Sequence, residues 1–369
     1  MSQTTEFDLS IIGTVGLPAG YGGFETLAEE LSARLATRYS VCVYCTRKGR
    51  RDFPGSYLGA TLRYVGFDAN GAQSIPYDIV SMWKAAFSSK VLLVLGVSGC
   101  LFLPLLRLLA PKLRIVTNID GLEWKREKWG RAARLVLRAS EAFAVRFSDV
   151  VIADNRGIQD HVSATYTRLS RLIPYGGDNR GHNAPASGPR DTPFGPGGYY
   201  FAVCRIEPEN NVHHILEAFR QTTQYKLVMV GNWRVSDYAN RLRAAHADLA
   251  NIQLLDPIYD QSRLRRLRTE ASAYIHGHSA GGTNPSLVEA MTAGVAVLAF
   301  DVHYNRHTTE GNALYWRDAA GLAEILARMT VPMLQNNAQM MRRIAAERYT
   351  WETVTRDYEA VLFPTKEDS

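Results

Sequence analysis

Arg205 lies in the stretch Val203-Cys204-Arg205-Ile206-Glu207-Pro208-Glu209-Asn210-Asn211, just after a short apolar run. A guanidinium there suits a diphosphate, because its planar fork makes two charge-assisted hydrogen bonds. A second cluster is His276-Gly277-His278-Ser279-Ala280-Gly281-Gly282-Thr283-Asn284-Pro285-Ser286-Leu287-Val288-Glu289. An apolar run ends at His276, glycines follow, and Pro285 suits the first turn of a helix. The amides of Ser286 and Leu287 are expected to face an anion, with Glu289 one turn further in and in reach of a ribose. A third cluster, Gly13-Thr14-Val15-Gly16-Leu17-Pro18-Ala19-Gly20-Tyr21-Gly22-Gly23, again leads into a helical pattern and reads as a phosphate or sugar cradle. Each cluster also has a plainer explanation: a surface ion pair for Arg205, a flexible turn for the glycines, a structural hydrogen bond for His276 and His278.

The elements that must position these residues follow from hydrophobic periodicity. Apolar strand candidates fall at 9–12, 41–44, 62–67, 91–96, 114–118, 150–153 and 171–173, with helical patterns between them; Phe24, Leu27, Ala28, Leu31 and Leu35 mark the first. A stretch rich in Pro, Gly, Ser and Asp at 184–198 carries no period and reads as a linker. The alternation resumes with strands at 199–204, 226–230, 252–255, 273–276, 296–300 and 313–315. This is an α/β chain of two Rossmann-like halves with parallel sheets, divided into 1–183, a linker 184–198, 199–345 and a final helical segment 346–369. Ligands of such sheets bind at the carboxyl ends of the strands, and the three clusters stand there. With two facing domains, that places them along one cleft.

Composition narrows the class. The chain has 369 residues and is 46% hydrophobic and 21% charged, ordinary for a globular protein. No secretory leader is expected from the polar, acidic residues 1–8. Cys42 and Cys45 share one strand candidate at an odd spacing, so buried reduced thiols are expected, in keeping with a cytoplasmic location. The apolar run 91–110 approaches membrane-spanning length, but Gly96, Gly99, Pro104 and Arg107 interrupt it. Residues 1–180 carry a net charge of about +7 and the remainder about −1, which suggests an anionic surface or ligand for the first half. Residues 124–147 read as a basic amphipathic helix, with Lys128, Arg131, Arg134 and Arg138 against Leu135, Phe143 and Phe147; that face can dock on an anionic membrane or simply be solvated. No nucleic-acid partner is indicated. Gly-x-Gly-x-x-Gly spacing is missing from the first loop, and no acid follows the second strand, which argues against a nicotinamide oxidoreductase.

Taken together, the clusters resemble glycosyltransferase family 4, of GT-B fold, and within it the bacterial rhamnosyltransferase-like group of capsule and O-antigen assembly. The marks are Gly13-Thr14 through Gly23-Phe24-Glu25, Asp120-Gly121-Leu122-Glu123-Trp124-Lys125-Arg126, Pro208-Glu209-Asn210-Asn211, Gly282-Thr283-Asn284-Pro285-Ser286 and Arg348-Tyr349-Thr350-Trp351-Glu352. The last looks like the start of a helix that crosses back to the first domain. The resemblance implies a retaining hexosyl transfer from a nucleotide-diphosphate sugar, dTDP-rhamnose by subgroup, to a glycan or polyprenyl-diphosphate-linked acceptor. It puts Arg205 on the diphosphate, Glu289 on the ribose and Ile258 and Tyr259 on the base. Gly22, Gly23, Asn210, His278, Gly282, Thr283, Asn284, Ser286 and Leu287 complete the donor set. Tyr21, Glu25, Trp124, Lys125 and Arg126 fall on the acceptor side.

Three positions depart from that pattern. Asn210 stands where the family has a lysine, Gly281 occupies the first place of its Glu-x7-Glu pair, and Asp120 stands in place of the histidine near the reacting carbon. Asp120 is expected to orient the acceptor hydroxyl or steady the developing oxocarbenium ion, unless Asp120-Gly121 is merely a turn. No Asp-x-Asp occurs in the chain, so no metal is expected and the only co-substrate is the nucleotide sugar. A sugar-nucleotide epimerase on the same plan, a UDP- or GDP-sugar transferase and a nucleotide-binding regulator are the competing functions.

Overall fold

The computed structural model describes residues 5–20, 22–119, 121, 124, 130–180 and 191–365. Two compact units divide the chain: Met1–Pro174 with Glu352–Ser369, and Tyr175–Trp351.

The first unit holds strands β1 (Phe7–Ile12), β2 (Val41–Thr46), β3 (Ser56–Tyr57), β4 (Ala60–Val65), β5 (Ser89–Leu95), β6 (Arg114–Asn118), β7 (Val150–Ala153) and β8 (Arg171–Leu172). Its helices are α1 (Gly23–Leu35), α2 (Ser74–Ala86), α3 (Leu103–Leu109), α4 (Arg131–Phe147) and α5 (Arg156–Tyr166). The sheet order is β3-β4-β2-β1-β5-β6-β7-β8, parallel except where β3 meets β4. Leu9 of β1 pairs with Val41 on one side and Val91 on the other. Both faces of these central strands are covered, which is why they are mostly apolar: every residue of β2 is buried. The terminal helix, Trp351–Leu362, contributes Tyr358, whose hydroxyl accepts a 2.7 Å hydrogen bond from Asn118 Nδ2, while Phe363 stacks on Tyr39 at 3.9 Å.

The second unit holds β9 (Tyr200–Val203), β10 (Leu227–Val230), β11 (Ile252–Leu255), β12 (Ala273–His276), β13 (Ala296–Phe300) and β14 (Leu314–Trp316). Its helices are α6 (Val212–Gln221), α7 (Asp237–His246), α8 (Gln261–Thr269), α9 (Pro285–Thr292), α10 (His303–Thr308), α11 (Ala319–Arg328) and α12 (Val331–Arg348). The strands run parallel in the order β11-β10-β9-β12-β13-β14. One core cluster joins Ala202, Met229, Ile275 and Leu298 of the sheet to Val212, Leu216 and Phe219 of α6.

Several expectations change. The β3–β4 pair was not read from the sequence; two residues are too few to show a period. The described part of the basic helix begins at Arg131, and Lys128 lies outside the described residues. Its inward face is Leu137, Glu141, Ala144 and Val145, whereas Leu135, expected on the apolar side, is 70% exposed. The helix has apolar residues on two sides, so periodicity alone could not choose between them. The run 91–110 resolves into most of β5, a 3-10 turn at Cys100–Phe102 and α3. Among the described residues no helix is long and apolar enough to cross a membrane. All four cysteines are free and buried.

Candidate active site

In the second unit, β9 and β12 are paired neighbours, so the loops that follow them emerge at the same edge of the sheet. Two contacts tie these loops together. Ser279 N–H and Oγ both bond the Glu209 carbonyl oxygen, at 2.9 and 2.8 Å, and Asn211 Nδ2 donates to the Gly277 carbonyl oxygen at 2.9 Å. Arg205 stands at this edge with its side chain 44% exposed, and its nearest carboxylate, Glu207, is 3.7 Å away. So long and exposed a pair holds the guanidinium weakly and leaves most of its donors to solvent or a ligand.

Asn210 was expected on the donor. Instead its side chain is buried and donates through Nδ2 to the carbonyl oxygen of Arg205 at 2.7 Å. It shapes the arginine loop from within. Thr283 and Leu287 are likewise buried, whereas Asn284, Ser286, Ile258 and His278 are half-buried and Tyr259 is exposed.

Helix α9 opens at this edge with Asn284 as its N-cap, and the Asn284 side chain makes no capping bond. Leu287 N–H bonds the Asn284 carbonyl oxygen at 3.0 Å, so the expected anion-facing amide narrows to Ser286. Gly281 has φ +115, a backbone conformation that a glutamate would adopt only under strain. The missing first glutamate and the local chain path therefore go together. His276 is fully buried, and neither ring nitrogen has a hydrogen-bond partner among the described residues, so the plainer alternative of a structural hydrogen bond does not hold for it. Its ring stacks on that of His278 at 4.3 Å, and burial holds the imidazole neutral, pushing its pKa down to about 3.

Glu289 is clamped. Arg268 Nη2 donates to one carboxylate oxygen at 2.5 Å and Asn179 Nδ2 to the other at 2.8 Å. Asn179 in turn accepts Trp351 Nε1–H at 2.7 Å, and Asp178 accepts the Trp351 backbone N–H at 2.7 Å. Each Glu289 oxygen retains a second lone pair, which suits a pair of ligand hydroxyls. Arg268, Asn179 and Trp351 were not expected at the site. Arg268 had only the arginine-rich run 263–268 to signal it, and Asn179 had no signal at all.

In the first unit the glycine loop after β1 is closed by carboxylates of α1. Val15 N–H donates to Glu25 Oε1 at 2.9 Å and Ala19 N–H to Glu29 Oε2 at 2.7 Å. Burial pushes the Glu25 carboxyl above its ordinary range. Gly22, with φ +147, lies so close to Glu25 Oε2 that a Cβ would sit 1.9 Å from it. Two amides expected to receive a phosphate are therefore already taken by the chain's own acids, and Glu25, expected on the acceptor, fixes the loop. Asp78, buried beneath the loop after β5, accepts Gly99 N–H at 3.1 Å; burial raises its pKa to about 8.

Tyr21, Asp120, Lys125 and Arg126 lie outside the described residues. Within the same motif as Asp120, Trp124 is anchored: its Nε1–H donates to Glu141 Oε2 at 2.9 Å. Glu141, itself buried, also accepts Tyr166 OH at 2.8 Å and pairs with His161 Nε2 at 2.8 Å. Arg138 lies 5.6 Å over the Trp124 ring.

Residues 193–320 match the family described as glycosyl transferases group 1, and residues 7–178 match a domain of unknown function (DUF1972). No curated protein matches the chain. Among solved structures it is similar to sucrose-phosphate synthase from Thermosynechococcus elongatus, at 16% identity over 96% of this chain and 98% of the other, with a TM-score of 0.74. It is similar to Anabaena HepE in complex with UDP and glucose, at 15% identity over 97% and 100%, with a TM-score of 0.73. It is also similar to α,α-trehalose 6-phosphate synthase from Burkholderia multivorans, at 12% identity over 97% and 96%, with a TM-score of 0.69. These likenesses give the fold, GT-B with two Rossmann-like domains, and the matched domain makes the chain a glycosyltransferase.

Proposed function

We propose that this glycosyltransferase takes a nucleotide-diphosphate sugar, dTDP-rhamnose first, and transfers the sugar with retention of anomeric configuration to a glycan or polyprenyl-diphosphate-linked acceptor. The observation that carries the donor class is the pairing, on adjacent strand ends, of the exposed Arg205 guanidinium with an α9 terminus that its own N-cap side chain leaves uncapped. As the glycosidic bond breaks, negative charge grows on the leaving diphosphate. The Arg205 guanidinium and the Ser286 amide stabilise that charge as it develops. Glu289, held by Arg268 and Asn179, takes the ribose hydroxyls, and Ile258 and Tyr259 border the base. The first unit supplies the acceptor groups: Asp120 orients the acceptor hydroxyl or steadies the oxocarbenium ion, with Trp124 of the same motif fixed by Glu141.

A UDP-sugar is the second donor, favoured by the UDP and glucose bound to the Anabaena protein of the same fold. The deciding experiment incubates the full chain with dTDP-rhamnose, UDP-glucose or a GDP-sugar, with and without a polyprenyl-diphosphate-linked acceptor, and reads products by mass and anomeric NMR signals. Acceptor-dependent release of dTDP with a retained anomer supports the proposal. Conversion of the donor sugar without acceptor identifies an epimerase instead. Activity abolished by chelator and restored by magnesium contradicts the metal-independent reading.

A further inference from the structure

On the first unit, helices α2, α3 and α4 lead from β4 to β5, from β5 to β6 and from β6 to β7, three steps in one direction across the sheet. Right-handed crossovers place such helices in one layer on one face, and α3 packs against both α2 and α4. The outer side of this layer is unusually apolar. Leu101, Leu105 and Leu108 form a stripe at i, i+4 and i+7, with Leu108 80% exposed. Trp83 of α2 and Phe87 just past its end are exposed beside it, Trp83 lying 6.5 Å from Phe102 of the turn before α3, and Leu135 of α4 is exposed as well.

Most of the exposed charge on this layer is positive; Asp149, just past α4, is taken up by Arg107 of α3 at 2.7 Å. Lys84, Lys112, Arg131 and Arg138 are exposed. The only acids on the three helices, Asp78 and Glu141, are buried at 3% and 2% exposure. Leucines and a tryptophan rimmed by cations suit the headgroup region of an anionic bilayer: the apolar side chains leave water, the indole settles at the interface, and the cations are drawn to the anionic headgroups. A second copy of the chain is a poor occupant. A two-fold contact sets the same patch against itself, bringing a mainly cationic rim against its own copy.

We infer that the outer face of α2, α3 and α4 is a docking surface for an anionic lipid bilayer. The surface spreads over three helices, with the leucine stripe of α3 as its apolar part, rather than lying along α4 alone. It needs no particular donor or acceptor and is testable without either. The test is co-sedimentation of the full chain with vesicles of phosphatidylglycerol and phosphatidylcholine, against vesicles of phosphatidylcholine alone. Partition is expected into the anionic vesicles only, weakening as salt is raised. The exposed pair Leu105→Ser/Leu108→Ser is expected to lower partition about tenfold or more. Lys84→Glu/Arg131→Glu should do the same while keeping the wild-type thermal midpoint. Trp83 emission should shift to the blue and be quenched by brominated lipid, a signal lost in Trp83→Phe. Absence of binding to phosphatidylglycerol vesicles overturns the inference, as does a leucine variant that partitions like wild type. A dimer in solution that the leucine variant dissolves, without vesicle binding, assigns the face to a second copy instead.

Discussion

The loops at the carboxyl-terminal edges of the two sheets are held in different ways. In the first unit the loops after β1 and β5 are held by acids seated on backbone amides: Glu25 on Val15, Glu29 on Ala19 and Asp78 on Gly99. In the second, the corresponding edge carries the exposed guanidinium of Arg205, and its one clamped acid, Glu289, is matched by Arg268. Similar glycine-rich loops leading into helices thus have different uses. One has the Val15 and Ala19 amides taken by the chain's own acids; the other presents the exposed Arg205 guanidinium. On this contrast we propose that the anionic donor is held by the second unit.

The largest effect that can break this contrast is pH-dependent. The Asp78 carboxyl is raised to about 8 in the fold and stands near 4 when unfolded. Between those values the folded state binds a proton that the unfolded state has lost, so stability falls as pH rises through that window. Asp78→Asn keeps the acceptor for Gly99 and should remove the loss, on the order of 5 kcal/mol at pH 8 by linkage. Denaturant midpoints at pH 5 and pH 8 measure it, and parallel pH profiles for variant and wild type would show that Asp78 is already ionised in the fold. Next is Arg268→Met, which strands Glu289. About 3 kcal/mol of stability should go, together with donor affinity, read by thermal unfolding and by donor titration. Arg205→Ala should behave in the opposite manner: an unchanged thermal midpoint, because the side chain is exposed, but turnover lowered roughly a hundredfold. Smallest is Glu25→Gln, which can still accept Val15 N–H. Stability should change by about 1 kcal/mol or less, with the diphosphate affinity untouched. A gain in diphosphate affinity in that variant would show that the first loop is an anion seat after all.

Much of this was legible in the sequence because strands buried on both faces are written as apolar runs. Residues 114–118, 150–153, 252–255, 273–276 and 296–300 were read with the bounds the structure gives them. The positions of Arg205, Ser286 and Glu289 after strands followed from the same pattern. What sequence alone could not show was which partner each polar group has. Asn179 and Arg268 come to Glu289 from separate segments, Trp351 holds Asn179 from a third, and Glu141 reaches Trp124 from the next helix. Helix periodicity failed at Leu135, because α4 is apolar on two sides and only the neighbouring elements determine which side is covered.

The contrast between the two edges is tested most directly by calorimetric titration of dTDP, UDP and the free nucleosides into the full chain and into Arg205→Ala. In the wild type a diphosphate should bind at least about tenfold more tightly than its nucleoside, roughly 1.4 kcal/mol, and the variant should lose that preference. Equal affinity for nucleoside and diphosphate, or a preference that survives in Arg205→Ala, would contradict an anion seat in the second unit.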